Sequence, residues 1–85
     1  MRIELTSAAM KSLKKVRRNV KLAIRLKKSL LRIGADPYIG KMLEGEFEGI
    51  YSLRVGEWRI LYEIYKRELV VLVLEIADRK EAYHR

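Results

Sequence analysis

Cysteine is absent from this 85-residue chain, and proline, histidine, tryptophan and phenylalanine each occur once. Without cysteine there is no disulfide framework, no thiolate metal site and no cysteine nucleophile. The lone histidine, His84, sits one residue from the end of the sequence. Chain ends fray, so an exposed tail histidine is expected there, with a general-base role only secondary. No apolar run approaches the roughly 20 residues of a membrane-spanning helix. The start, Met1-Arg2-Ile3-Glu4-Leu5, lacks the apolar stretch of a signal peptide. A soluble, cytoplasmic protein without membrane contact is expected.

Acidic charge is also in short supply, with 11 Asp and Glu against 19 Lys and Arg, a formal net charge of +8 and a pI near 10.0. Such an excess attracts polyanions and speeds their encounter, and it matches the footprint of a nucleic-acid binder. A surface of ion-pair networks would show a similar charged fraction, so charge alone assigns no function. The length suits one domain spanning residues 1–85, with a modest core and no room for a large internal cavity.

The hydropathy pattern divides the chain in three. Arg2–Thr6 alternates as a short strand, and Ser7 offers an N-cap for a first helix. Ala9, Leu13, Val16 and Val20 give that helix an apolar stripe. Val20, Ala23, Ile24, Leu26, Leu30, Leu31 and Ile33 predict a second helix, with Arg17-Arg18-Asn19 as the corner between them. Gly34 suits the position just past its end, and Asp36-Pro37 prevents continuation. Residues 34–49 read as irregular. Glu44, Glu46 and Glu48 fall there, but a magnesium site holds its ligands in a fixed octahedron. A solvated glycine-rich loop is expected instead, with no metal and no other cofactor.

From Ile50 the period becomes two. Ile50–Val55, Trp58–Tyr65 and Leu69–Ala77 predict three antiparallel strands, the first two joined by a Gly56-Glu57 turn of type II′. That turn pairs Val55 with Trp58, Leu53 with Ile60 and Tyr51 with Tyr62 on the core face. It also sets Arg54 directly opposite Arg59 on the other face. Like charges so placed cost roughly 0.2–1 kcal/mol, which is easier to understand if an anion normally lies between two guanidiniums. Ordinary exposed arginines paired with Glu57 and Glu75 are the competing explanation. Continued parity would turn Val70, Leu72, Leu74 and Ile76 to the core and bring Arg79 beside Arg54 and Arg59. Trp58 and Tyr62 read as core residues.

The run Gly49-Ile50-Tyr51-Ser52-Leu53-Arg54-Val55-Gly56-Glu57-Trp58-Arg59-Ile60-Leu61-Tyr62-Glu63 resembles the RelE/ParE toxin superfamily. The basic helical pair, the Asp36-Pro37 break, the Leu43-Glu44-Gly45 approach to the sheet, and Arg79 followed by Tyr83 extend the likeness over essentially the whole chain. The resemblance implies an α+β fold: an N-terminal strand and an αα-hairpin packed on a twisted antiparallel sheet. It also implies a toxin held inactive by a cognate antitoxin. RelE-type members are ribosome-dependent endoribonucleases that cut mRNA in the A site, whereas ParE-type members share the fold and poison DNA gyrase. Fold alone does not choose between them, and a degenerate module that binds only antitoxin or RNA is a third expectation.

Carried over residue by residue, the RelE-type catalytic positions fall on Arg54, Arg59, Arg79 and Tyr83. Two departures remove positive charge: Ser52 replaces a basic residue found in some members, and Asp78 replaces the His or Lys common before the last arginine. The implied reaction needs no metal. The substrate's 2′-OH attacks its own phosphate, the arginines stabilise the charge that builds on phosphorus-bound oxygens, and Tyr83, its pKa of about 10 lowered by neighbouring cations, serves as base or acid. The ribosome would hold the mRNA in a reactive geometry.

Overall fold

The computed structural model describes residues 1–78. Strand β1 (Arg2–Leu5) leads into helix α1 (Ser7–Lys15), a 3₁₀ turn (Val16–Arg18) and helix α2 (Val20–Ala35). Then come a 3₁₀ turn (Pro37–Ile39), strand β2 (Lys41–Met42), a third 3₁₀ turn (Gly45–Phe47), and strands β3 (Tyr51–Val55), β4 (Trp58–Tyr65) and β5 (Val70–Asp78). The five strands form one sheet in the order β1-β5-β4-β3-β2. Every pairing is antiparallel except β1 with β5. Both helices cover one side, so the expected α+β architecture is the one observed, with a parallel edge added.

Capping explains where the helices begin. The N-cap of α1 is Thr6 and not Ser7: its Oγ1 accepts from Ala9 N at 3.1 Å and its hydroxyl donates to Leu74 O at 2.6 Å. Threonine serves here because the same hydroxyl ties the helix start to the central sheet. Lys14 and Lys15 occupy the last turn, where cations complement the helix dipole. The expected corner falls on the 3₁₀ turn, and Asn19 caps α2 by accepting from Leu22 N at 3.2 Å.

The buried stripe of α2 is Leu26, Ser29 and Ile33, flanked by Leu22 and Leu30. The Ser29 hydroxyl is satisfied by donating to Arg25 O at 2.8 Å. Val20, Ile24 and Leu31, expected on that stripe, are instead exposed. They lie nearly half a turn around the helix from the Leu26–Ile33 line, on the face turned away from the sheet. Gly34 is also not past the helix end but inside it, Asp36 being the C-cap. A Cβ there would lie 3.1 Å from Met1 O, and the Met1 ammonium donates to Gly34 O at 2.6 Å. The glycine lets β1 approach the helix.

The segment 34–49 is more ordered than expected, because it contains β2. Tyr62, fully buried on β4, holds this segment: its hydroxyl donates to Pro37 O at 2.6 Å and accepts from Gly40 N at 3.0 Å. Its ring stacks on Tyr51 at 5.6 Å, and Tyr38 meets Tyr51 edge-on at 6.0 Å. Burial pushes the Tyr62 phenol above its ordinary pKa, against the lowering effect of the Gly40 N–H.

The β3–β4 register is the expected one, including Arg54 opposite Arg59 and the Gly56 turn, whose φ is +61°. The β4–β5 register differs. Leu61 pairs with Glu75 but Tyr62 with Val73, so Leu74 is an extra residue, a β-bulge. The strand therefore buries Val71 and Val73 with Tyr62 and Ile64, and Ile76 with Ile60. The expected inward set held only at Ile76, since Val70 and Leu72 face the other way. The connection is one residue longer as well, with Leu69 in the turn at φ +56°.

Candidate anion site on the open sheet face

Residues opposite one another in a sheet project to the same side, so the registers define the face that the helices leave open. Lys41 pairs with Ser52, Arg54 with Arg59, Ser52 with Leu61, Leu61 with Glu75 and Arg59 with Ala77. These residues share that face, with the three cations clustered toward its β2–β3–β4 end.

The local chain positions each cation. Arg54 is exposed, and its Nε donates to Gly56 O at 3.1 Å, bending the side chain along its own hairpin. Arg59 is half-buried, and its Nη1 donates to the Ser52 Oγ at 3.4 Å. Ser52, Leu61 and Ala77 are buried beside it. The hairpin turn is closely approached from the helical side, where the Arg25 guanidinium lies 3.0 Å from the point a Gly56 Cβ would occupy. A side chain at Gly56 would need both a left-handed backbone and a displaced arginine. Among the described residues neither Lys41 nor Arg54 is joined to a carboxylate, so the competing explanation of an ion pair with Glu57 does not apply to Arg54.

Two guanidinium forks set opposite one another on one hairpin can clamp a tetrahedral anion and stabilise charge that develops on it. Arg79, Tyr83 and His84, the other residues singled out in the sequence, lie outside the described residues. Among the described residues no three His, Cys, Asp or Glu side chains converge to hold a metal ion. Glu44, Glu46 and Glu48 are all exposed around the third 3₁₀ turn. No helix among the described residues is long and apolar enough to cross a membrane.

Sequence reasoning missed Lys41 and the bonding role of Ser52. Lys41 lies on a two-residue strand inside a glycine-punctuated segment, too short to show a period. Ser52 was weighed as a missing charge, although its hydroxyl is an acceptor for Arg59.

Charge divides sharply between the two layers. Residues 5–35 carry ten of the 19 basic side chains and no acidic one, leaving nine basic against eleven acidic residues in the rest of the chain. The net positive charge thus belongs to the helical layer, and the sheet site is a local cationic cluster in a slightly acidic setting. Among those cations the helices also expose Met10, Val20, Ile24 and Leu31. Met10, Leu13, Ala23 and Lys27 line a groove of about 340 Å³ between α1 and α2, rimmed by Lys14 and Arg17.

Comparison with known proteins agrees with this architecture. Residues 3–83 match the family described as the ParE toxin of the type II toxin–antitoxin system parDE. Toxin RelG of Mycobacterium tuberculosis is 36% identical over 47 residues, which are 55% of this chain and 54% of that protein, so the match spans about half of the relative's length. A chain in the crystal structure of the M. tuberculosis RelBE2 toxin–antitoxin complex superposes with a TM-score of 0.78 at 26% identity, covering 92% of this chain and 96% of that one. A YoeB/ParE toxin from Agrobacterium tumefaciens gives a TM-score of 0.82 over 92% of this chain and 98% of its own, though at 17% identity that likeness shows the fold alone.

Proposed function

Because this chain belongs to the ParE toxin family of type II toxin–antitoxin systems, within the RelE/ParE superfamily, we propose that it arrests growth as a ribosome-dependent endoribonuclease cutting translated mRNA. The observation that carries this proposal is the cross-strand pair Arg54–Arg59. Like charges set directly opposite one another are unfavourable in themselves, and a phosphate between the two side chains would make the arrangement favourable.

In the reaction the 2′-oxygen forms a bond to phosphorus while the bond from phosphorus to the 5′-oxygen breaks, leaving a 2′,3′-cyclic phosphate. The 2′-proton passes to a base and the departing 5′-oxygen gains a proton. Arg54 and Arg59 neutralise the charge on the non-bridging oxygens, and the Ser52 hydroxyl keeps Arg59 turned toward them. Arg79 and Tyr83 complete the set by resemblance, with Tyr83 as base or acid. The partners are mRNA on the ribosome and a cognate antitoxin. The apolar, cation-rimmed groove between α1 and α2 fits an acidic amphipathic helix of that antitoxin.

Ser52 and Asp78 favour a second reading, a ParE-type gyrase poison without nuclease activity, since both stand where the nuclease branch carries cations. The test is inducible expression of the wild type and of Arg59→Ala, mapping mRNA 5′ ends during arrest. New ends inside translated frames, lost in the variant, are expected. Arrest without new ends, together with inhibited gyrase supercoiling, would overturn the nuclease assignment.

A further inference from the structure

Lys41 stands on the outer edge of the sheet, directly opposite Ser52 and on the same face as Arg54 and Arg59. Directly opposed residues place their Cβ atoms about 4.5–5.5 Å apart. The Lys41 stem therefore rises next to the Ser52 hydroxyl, and that hydroxyl receives Arg59 from the other side at 3.4 Å. Ser52 is buried and short, so it fills the floor between two long cations and blocks neither.

The backbone at Lys41 is not free to wander. Gly40 N is held by the buried Tyr62 hydroxyl at 3.0 Å, and Leu43 N donates to Ile50 O at 2.8 Å. A two-residue edge strand is thus clamped at both ends. The ammonium it presents is exposed and joined to no carboxylate among the described residues, although Glu44, Glu46 and Glu48 follow closely in sequence.

From this arrangement we infer that Lys41 is a third phosphate-binding residue of the site, taking the phosphate of single-stranded RNA next to the one held by Arg54 and Arg59. It acts as a positioning residue, because across the sheet it lies one strand beyond Arg54 and two beyond Arg59. Lysine suits this task as a mobile point charge that follows a flexible backbone, whereas the arginine forks fix one phosphate's orientation. The inference rests on the RNA-directed function proposed above, but it concerns binding, which can be read without cleavage.

The experiment measures binding of a fluorescein-labelled ten-nucleotide single-stranded RNA by anisotropy across a salt series. The full-length wild type is compared with Lys41→Ala, Lys41→Arg and Lys66→Ala. Each phosphate contact to a single strand contributes about 0.7 to the slope of log K against log salt. Lys41→Ala should lower the slope by about 0.7, so the wild type's advantage shrinks roughly 2.6-fold when salt rises fourfold. Lys41→Arg should restore the slope. Lys66→Ala should leave it unchanged, because that ammonium lies over the Tyr38 ring at 5.7 Å.

An unchanged slope in Lys41→Ala, an equal fall in Lys66→Ala, or no RNA binding by the wild type would each overturn the assignment. Cleavage on programmed ribosomes is scored separately. A wild type that binds with the expected slopes but never cuts would sink the nuclease function and leave the Lys41 contact standing. If cutting occurs, Lys41→Ala should raise the half-saturating toxin concentration and leave the plateau rate within about twofold of wild type.

Discussion

Gly40→Ala drives a methyl group into the Tyr62 hydroxyl, and a double-mutant cycle with Tyr62→Phe isolates that collision. Gly40 has φ −77° and ψ 168°, a conformation open to any residue. Backbone strain is therefore not at issue, and alanine would by itself stabilise by roughly 0.4–1 kcal/mol through the unfolded chain. The added Cβ nevertheless meets the hydroxyl head-on and comes within 3.2 Å of Ser52 O, an overpacking that costs about 1–3 kcal/mol. Tyr62→Phe leaves the Pro37 carbonyl and the Gly40 N–H without their partner, at about 1–3 kcal/mol for a buried unsatisfied group.

In the double variant the hydroxyl is gone and most of the collision with it. The pair should then be less destabilising than the two singles combined by about 1–2 kcal/mol, well beyond the ~0.5 kcal/mol tolerance of independent sites. Urea unfolding followed by fluorescence of Trp58, the only tryptophan, reads all four corners of the cycle. Additive losses would refute the idea that Gly40 is required by the approach of Tyr62.

Two further outcomes follow from the same structure. Burial raises the Tyr62 pKa above its ordinary 10.0, so the folded state keeps this proton longer than the unfolded chain does. The associated stability is complete below about pH 10 and is lost as pH rises through the folded-state value. Urea midpoints from pH 8 to 11.5 should fall more steeply for wild type than for Tyr62→Phe, and parallel curves would contradict this. Arg54→Thr should remove the like-charge pairing and stabilise the free protein by roughly 0.2–1 kcal/mol while abolishing growth arrest. A lower thermal midpoint in that variant would show that the pair is not held at the expense of stability.

The parts of the fold legible in the sequence were those with a local physical cause. Gly56-Glu57 fixes a two-residue turn, and a turn of known length fixes every pair in its hairpin, so Arg54 could be set against Arg59 without coordinates. The Arg17-Arg18-Asn19 corner was visible as a polar break between two apolar stripes, and Asn19 caps the second helix there. The rest depended on distant partners. Thr6 outcompetes Ser7 as a cap because Leu74 lies within its reach, 68 residues away in sequence. Gly34 can be helical because β1 needs its bare backbone. Val20, Ile24 and Leu31 match the helical period as well as Leu26 does, and only the position of the sheet decides which stripe is buried. Lys41 was invisible because its strand exists only where the buried Tyr62 clamps the preceding glycine.

The single extra residue at Leu74 has an evolutionary consequence. It divides β5 into a stretch that packs beneath the helices, Val71 and Val73, and a stretch that flanks the arginines, Glu75 and Ala77. Because the bulge absorbs the change of parity, the two stretches need not share one alternating pattern. The buried Val71 and Val73 can be repacked against the helices while the strand end beside Arg59 keeps its frame. A one-residue deletion at the bulge would bind the two stretches to a common alternation, and a change in the core would then be felt at the arginine face.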